Sequence, residues 1–157
     1  MSLNLRGSLI ADRVDALGIS PAVSVAPTES IGQVIARMVA ERVGCVVVVL
    51  DAHLEGIFTE RDVLTRVLAA GAKLDQPIQT VMTPNPDVLH SDATVADVVR
   101  LMHDGGFRHI PVVEHNGDLA GVVSVKRVAE YLVEHFPATI YNLPPDPEQR
   151  LDAAEGA

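Results

Sequence analysis

Apolar residues recur along the chain in two alternating periods. Ile31, Val34, Ile35 and Met38 fall at i, i+3, i+4 and i+7, the spacing of one face of a helix. A continuous apolar run, Val46–Leu50, follows and reads as a buried strand. The polar turn Asp51–His53 leads to a second strand ending near Thr59, and Val63, Leu64, Val67 and Leu68 return to helical spacing. A short extended piece, Ala22–Val25, precedes all of this. The pattern predicts a β-α-β-β-α unit with Thr28 as the cap of its first helix.

The same unit occurs again. At a spacing of 64 residues Val34, Ile35 and Met38 fall on Val98, Val99 and Met102, and the strand at Val46 falls on Ile110–Val113. The second turn, His115–Asp118, is one residue longer, so the spacing becomes 65 and Gly56, Thr59 and Val63 fall on Gly121, Ser124 and Val128. Asp92 takes the capping position of Thr28, and Val128, Leu132 and Val133 continue the closing helix. Internal repetition of this kind decides the architecture before any single residue does. One copy is too short to close a core by itself. The fold class is therefore α/β: two tandem β-α-β-β-α motifs packed with pseudo-twofold symmetry. The predicted division is a lead-in helix over 1–20, motif 1 over 21–70, a linker over 71–86, motif 2 over 87–136 and a Pro-rich acidic tail over 137–157. Within the lead-in, Ser8–Leu17 reads as one amphipathic helix stopped by Gly18. The apolar stripes on the closing helices exceed what one small pair needs to bury, and predict a homodimer face.

Composition narrows the function. The chain has 157 residues, 48% of them apolar, and a net charge of −9, which lacks the basic excess that binds nucleic acid through phosphates. Aromatics are 3% with no Trp, too few to stack single strands. No apolar run approaches the ~18 residues of a membrane span. The expectation is no nucleic acid, no membrane, no secretory signal and a cytoplasmic location. The single cysteine, Cys45, cannot form an internal disulfide or a multi-thiolate metal site. His103, His109 and His115 do not have the spacing of a ligand set, and no catalytic constellation is present, so the expectation is no metal, no catalytic residue and no required cofactor.

The remaining chemistry gathers at Thr59-Glu60-Arg61-Asp62, where the second strand turns into the closing helix. A carboxylate there can accept both hydroxyls of a ribose, and a helix start offers free N–H groups to phosphate. Thr-x-x-Asp is equally a capping box, and the two roles are compatible.

Four segments in order, Gly56–Val63, Val81–Pro86, Phe107–Val113 and Gly121–Ser124, resemble the cystathionine β-synthase (CBS) motif, and the tandem resembles a CBS pair over residues 20–135. The resemblance implies a regulatory module, not an enzyme, that senses an adenosyl ligand (AMP, ADP, ATP or S-adenosylmethionine), acts on an effector protein and assembles as a disc-shaped homodimer. A ligand-independent dimerisation or protein-interaction module is the alternative. It further implies that Thr59 and Asp62 share a cleft with Arg108, His109 and Lys126 of the other copy, the cations serving phosphate. Ile57, Val23, Ile110 and Pro111 are candidates for the apolar slot of the base. In the second copy Arg127 replaces the acid, and Arg has no acceptor. That mirror site would hold Ser124 and Arg127 with Gly44 and Cys45, and Arg61 is expected to reach toward it. One competent site per chain is predicted.

Overall fold

The computed structural model describes residues 5–137; the predicted acidic tail lies almost wholly outside the described residues. The first repeat contains β1 (Ser24–Val25), α2 (Ile31–Glu41), β2 (Cys45–Leu50), β3 (His53–Thr59) and a closing helix that starts as α3 (Glu60–Asp62). This helix widens over Val63–Leu68, with Ala69 N–H donating to the Leu64 carbonyl, five residues back. The second repeat contains β5 (Leu89–His90), α4 (Val95–Gly105), β6 (His109–Val113), β7 (Leu119–Ser124) and α5 (Val125–His135). Ahead of the repeats lies α1 (Leu5–Ala11), and between them lies β4 (Thr83–Pro84).

Each repeat builds the sheet its pattern predicts. β1 runs parallel to β2 and β2 antiparallel to β3; β5, β6 and β7 repeat this arrangement. On β2, Val46 and Val48 face the helices of their own repeat, while Cys45 and Val47 join Ile57 and Val122 in a core shared by both sheets. A strand buried on both faces carries no polar alternation, which is why Val46–Leu50 reads as an unbroken apolar run. The two sheets pack against one another through this shared core.

Two local expectations are corrected. The helix caps are Ser30 and Thr94, two residues beyond Thr28 and Asp92. A reciprocal capping box needs a polar side chain three residues on, and Gln33 and Asp97 supply it; Thr28 and Asp92 would face Ile31 and Val95, which return no bond. The lead-in is not one helix either. α1 ends at Ala11, and a separate 3₁₀ turn spans Val14–Leu17, closed by Gly18 at φ +68°. The break lets Asp12 accept a hydrogen bond from the buried Tyr131 hydroxyl of α5. That bond and burial push Tyr131 up to about 12.

The segments before each repeat are exchanged. β4 pairs antiparallel with β3 of the first repeat, and Ser20 bridges Val122 of the second. Ile78 and Val81 fill the core of the first repeat, while Val14 and Leu17, 64 residues earlier, fill that of the second. Each repeat is thus completed by the chain that leads into the other.

Candidate functional site

The exchange creates a cleft of about 330 Å³ between the repeats. Thr59, the last residue of β3, and Asp62 form one wall, with Ile57 behind them. β4 brings Thr83 opposite Ile57 in register and carries Asn85, Pro86 and Asp87 to the rim. The turn after α4 and the start of β6 supply Phe107, Arg108, His109 and Pro111 from the second repeat.

Asp62 is 8% exposed and already engaged. Its Oδ2 accepts from the Thr59 amide at 2.9 Å and from Thr59 Oγ1 at 3.2 Å, while Asp62 N–H donates to Oγ1 at 3.4 Å. Oδ1 lies 3.4 Å from Arg66 Nε. Arg66 in turn donates to the carbonyls of Val81 and Met82, at 3.2 and 2.8 Å, which fixes the approach to β4. A carboxylate has about four lone-pair sites, so Oδ1 retains acceptor capacity toward the cleft. A second position opens if the Thr59 hydroxyl turns its proton away. The capping box is therefore complete in the chain itself, and it leaves room for one further polar partner or two.

Thr94 and Asp97 at the start of α4 make the same box away from this cleft, with bonds of 2.9, 3.0 and 3.1 Å. The Thr94 amide, then the Thr94 hydroxyl, hold the Asp97 carboxyl below the usual carboxylate range.

The cations divide differently from the expectation. Arg61 and Arg108 both line the cleft, and among the described residues neither has an ion-pair partner. Lys126 does not line it: its side chain is 83% exposed and lies 3.9 Å from Glu130. The first turn of each closing helix faces its own strand end, so Arg61 stays with Asp62 and does not reach across. Arg127 is held by Glu130 at 3.0 Å. Gly44, assigned by sequence to the mirror site, also lines this cleft; a Cβ there would lie 3.2 Å from the His109 ring, so only the missing side chain admits the imidazole. Val23 packs on the first core and Ile110, 1% exposed, lies in the second; neither reaches the cleft. Cys45 is buried, and burial, then the nearby Glu60 charge, push its thiol up to about 12. It is an apolar core residue at neutral pH.

Sequence reasoning missed Thr83, Asn85, Pro86, Asp87 and Phe107. The signal was the turn-rich Thr83–Pro86 run, read there only as connection. Phe107 is the cleft's aromatic surface, half-buried against the second core.

Burial lowers His109 below its ordinary value of 6.5; Glu60 opposes the shift and Arg108 adds to it. The unfolded chain thus binds a proton more readily than the native one. The stability tied to neutral His109 is present above pH 6.5 and is lost as pH falls through the native value. Denaturant unfolding at pH 7.5 and pH 5.5 will show a drop for the wild type that His109→Asn reduces. An equal drop in both removes His109 as its source.

Comparison with known proteins places the chain. The model of the CBS domain matches residues 14–69 and again 78–134. A CBS domain-containing protein of Arabidopsis thaliana is 36% identical over 112 residues, which is 71% of this chain and 21% of that protein, so the chain spans about a fifth of this relative. The crystal structure of a CBS-domain containing protein from Agrobacterium tumefaciens is 37% identical, with a TM-score of 0.68, covering 75% of this chain and 97% of that one. A CBS domain protein from Pyrobaculum aerophilum, solved in complex with AMP, is 28% identical with a TM-score of 0.70, covering 78% of this chain and 96% of that one. No helix among the described residues is long and apolar enough to cross a membrane.

Proposed function

The chain belongs to the CBS-domain family, with two such domains in tandem, and from that premise we propose that it is a regulatory module that binds an adenosyl ligand in the cleft beside Asp62. The observation that carries this reading is the pairing, in one cleft, of a buried carboxylate with spare acceptor capacity and two guanidiniums with no partner. The AMP complex of the Pyrobaculum protein supports the ligand class.

In this reading the ribose hydroxyls donate to Asp62 Oδ1 and exchange with Thr59 Oγ1. The base lies between Ile57, Pro111 and Phe107. Phosphate takes Arg108 and Arg61, each charge-assisted bond contributing roughly 1.5–3 kcal/mol. His109 is neutral when the cleft is empty, and phosphate beside it favours its protonation, so affinity for a phosphorylated ligand rises as pH falls below 6.5. No residue here supplies a nucleophile or a general base, and the role is regulatory: a ligand that prefers one arrangement of the two repeats shifts their population.

One observation favours the second reading, a ligand-independent interaction module: the Thr59–Asp62 box is closed without any ligand, as is that of Thr94 and Asp97. Thermal unfolding with AMP, ATP, S-adenosylmethionine and NADH separates the two. A compound at 100 times its dissociation constant stabilises by roughly 2.7 kcal/mol. AMP or ATP is expected to raise Tm; the absence of a shift with every adenosyl compound establishes the second reading instead.

A further inference from the structure

Glu60 lines two hollows at once. One is the cleft; the other is a groove on the outer face of the first repeat, walled by Ile35 and Val39 of α2 and by Val63 and Leu64 of the closing helix. Arg42 closes the groove on the α2 side. Among the described residues neither Arg42 nor Glu60 has an ion-pair partner. The groove is also the most openly apolar surface of the molecule: Val39 is 73% exposed, Leu64 61% and Leu68 67%.

The second repeat does not reproduce it. At the equivalent positions stand His103 for Val39, Ala129 for Leu64, Gly106 for Arg42 and Val125 for Glu60. The Gly106 comparison is informative. Both residues end their helix in the left-handed region, Gly106 at φ +66° and Arg42 at φ +55°. Glycine takes that conformation freely, whereas an arginine is strained there. The chain thus holds a guanidinium at the groove in a backbone state that favours no side chain. Strain kept at a surface position points to a use for the side chain.

We propose that this groove is a self-association surface on which the first repeats of two chains meet about a twofold axis, Arg42 of each pairing with the partner subunit's Glu60. A surface bearing opposite, unpaired charges on opposite walls of an apolar trough is self-complementary under twofold rotation, because what one chain offers the other needs. Since Glu60 also borders the cleft, the pairing reaches the ligand. An unneutralised Glu60 repels phosphate in the cleft, and the partner's guanidinium removes that repulsion. Dimer and anionic ligand therefore favour one another, and the coupling acts equally in both directions. Only this last step rests on the adenosyl reading of the cleft.

Sedimentation of the full chain without ligand tests the surface. The wild type is a dimer. Leu64→Asp, at an exposed position, raises its dissociation constant by at least about 30-fold, while Ala129→Asp, its counterpart, has a much smaller effect. Arg42→Glu and Glu60→Arg each weaken the dimer about tenfold, and the double variant Arg42→Glu/Glu60→Arg returns it to within about threefold of wild type. A monomeric wild type, an Ala129→Asp effect equal to that of Leu64→Asp, or no rescue in the double variant overturns the proposal. AMP is then added to the wild type. Tightening of the dimer by at least about fivefold supports the coupling; AMP that binds and leaves the dimer unchanged overturns it. AMP that does not bind at all refutes the reading of the cleft, and the ligand-free variants still decide the surface.

Discussion

Asp62→Ala will lower the affinity for AMP by about 100-fold or more, whereas Asp97→Ala will leave it unchanged. Both variants remove the side-chain half of a capping box, and both lose the roughly 0.5–2 kcal/mol that such caps contribute. Only Asp62 faces the cleft of Arg108 and His109. Two ribose hydroxyls donating to a carboxylate contribute about 1.5–3 kcal/mol each, and every 1.4 kcal/mol is tenfold in affinity. Asp62→Ala also frees Arg66, which holds Val81 and Met82, so its stability loss should exceed that of Asp97→Ala. Calorimetric titration of both variants, with urea unfolding alongside, separates cap from contact. Equal affinity losses would mean that the effect is merely loosened helix starts; no loss in Asp62→Ala would remove the ribose from this carboxylate.

The repeat was legible because periodicity survives translation along the chain. Spacings of 64 and 65 residues carry the helix faces, the paired strands and the glycines, and the structure keeps every one in equivalent places. The cleft was legible where chemistry is local: Thr59 with Asp62, and Arg108 with His109, are each adjacent in sequence and set on opposite sides of one gap. What escaped depended on pairing between distant segments. Nothing in Thr83-Pro84 announces that it will pair with β3, or that Ser20 will cross to β7; two-residue edge strands have no period to read. With β4 unplaced, Thr83–Asp87 had no cleft to line. Lys126 and Arg61 were exchanged for a related reason. Their equivalence is visible in sequence, but which sheet end each helix start faces is a property of packing. Gly44 shows the limit most clearly, since its contribution is the space where a side chain would be, and the imidazole that fills it comes from the other repeat.

The same dependence on exchanged segments makes two glycines the joints of the fold, and predicts unequal functional consequences for equal steric insults. Gly121 sits at φ +155°, and a Cβ there would strike the Ile19 methyl and come within 2.5 Å of the Ser20 carbonyl oxygen. Gly121→Ala must therefore push Ser20 off β7 and break two bonds, Ser20 N–H to the Val122 carbonyl at 3.1 Å and Val122 N–H to the Ser20 carbonyl at 3.0 Å. Overpacking costs about 1–3 kcal/mol and each lost hydrogen bond about 0.5–1.5 kcal/mol, so about 3–5 kcal/mol is expected. That is a large fraction of the roughly 5–15 kcal/mol holding a domain together. Gly71→Ala, at φ +71° with open space around it, should cost only the conformational penalty of about 1–2 kcal/mol. Gly56 is the equivalent joint in the first repeat: a Cβ there would overlap the Met82 side chain and lie 2.9 Å from the Thr83 carbonyl oxygen. Displacing β4 moves Thr83 and the Asn85–Asp87 rim, which belong to the cleft, whereas Ser20 does not line it. Gly56→Ala is thus expected to lose about 3–5 kcal/mol of stability and also about tenfold in AMP affinity. Gly121→Ala should lose stability while its folded fraction binds normally. Urea midpoints and titration at low temperature measure both quantities, and a Gly121→Ala protein with the larger binding defect would place the ligand on the opposite side of the pair.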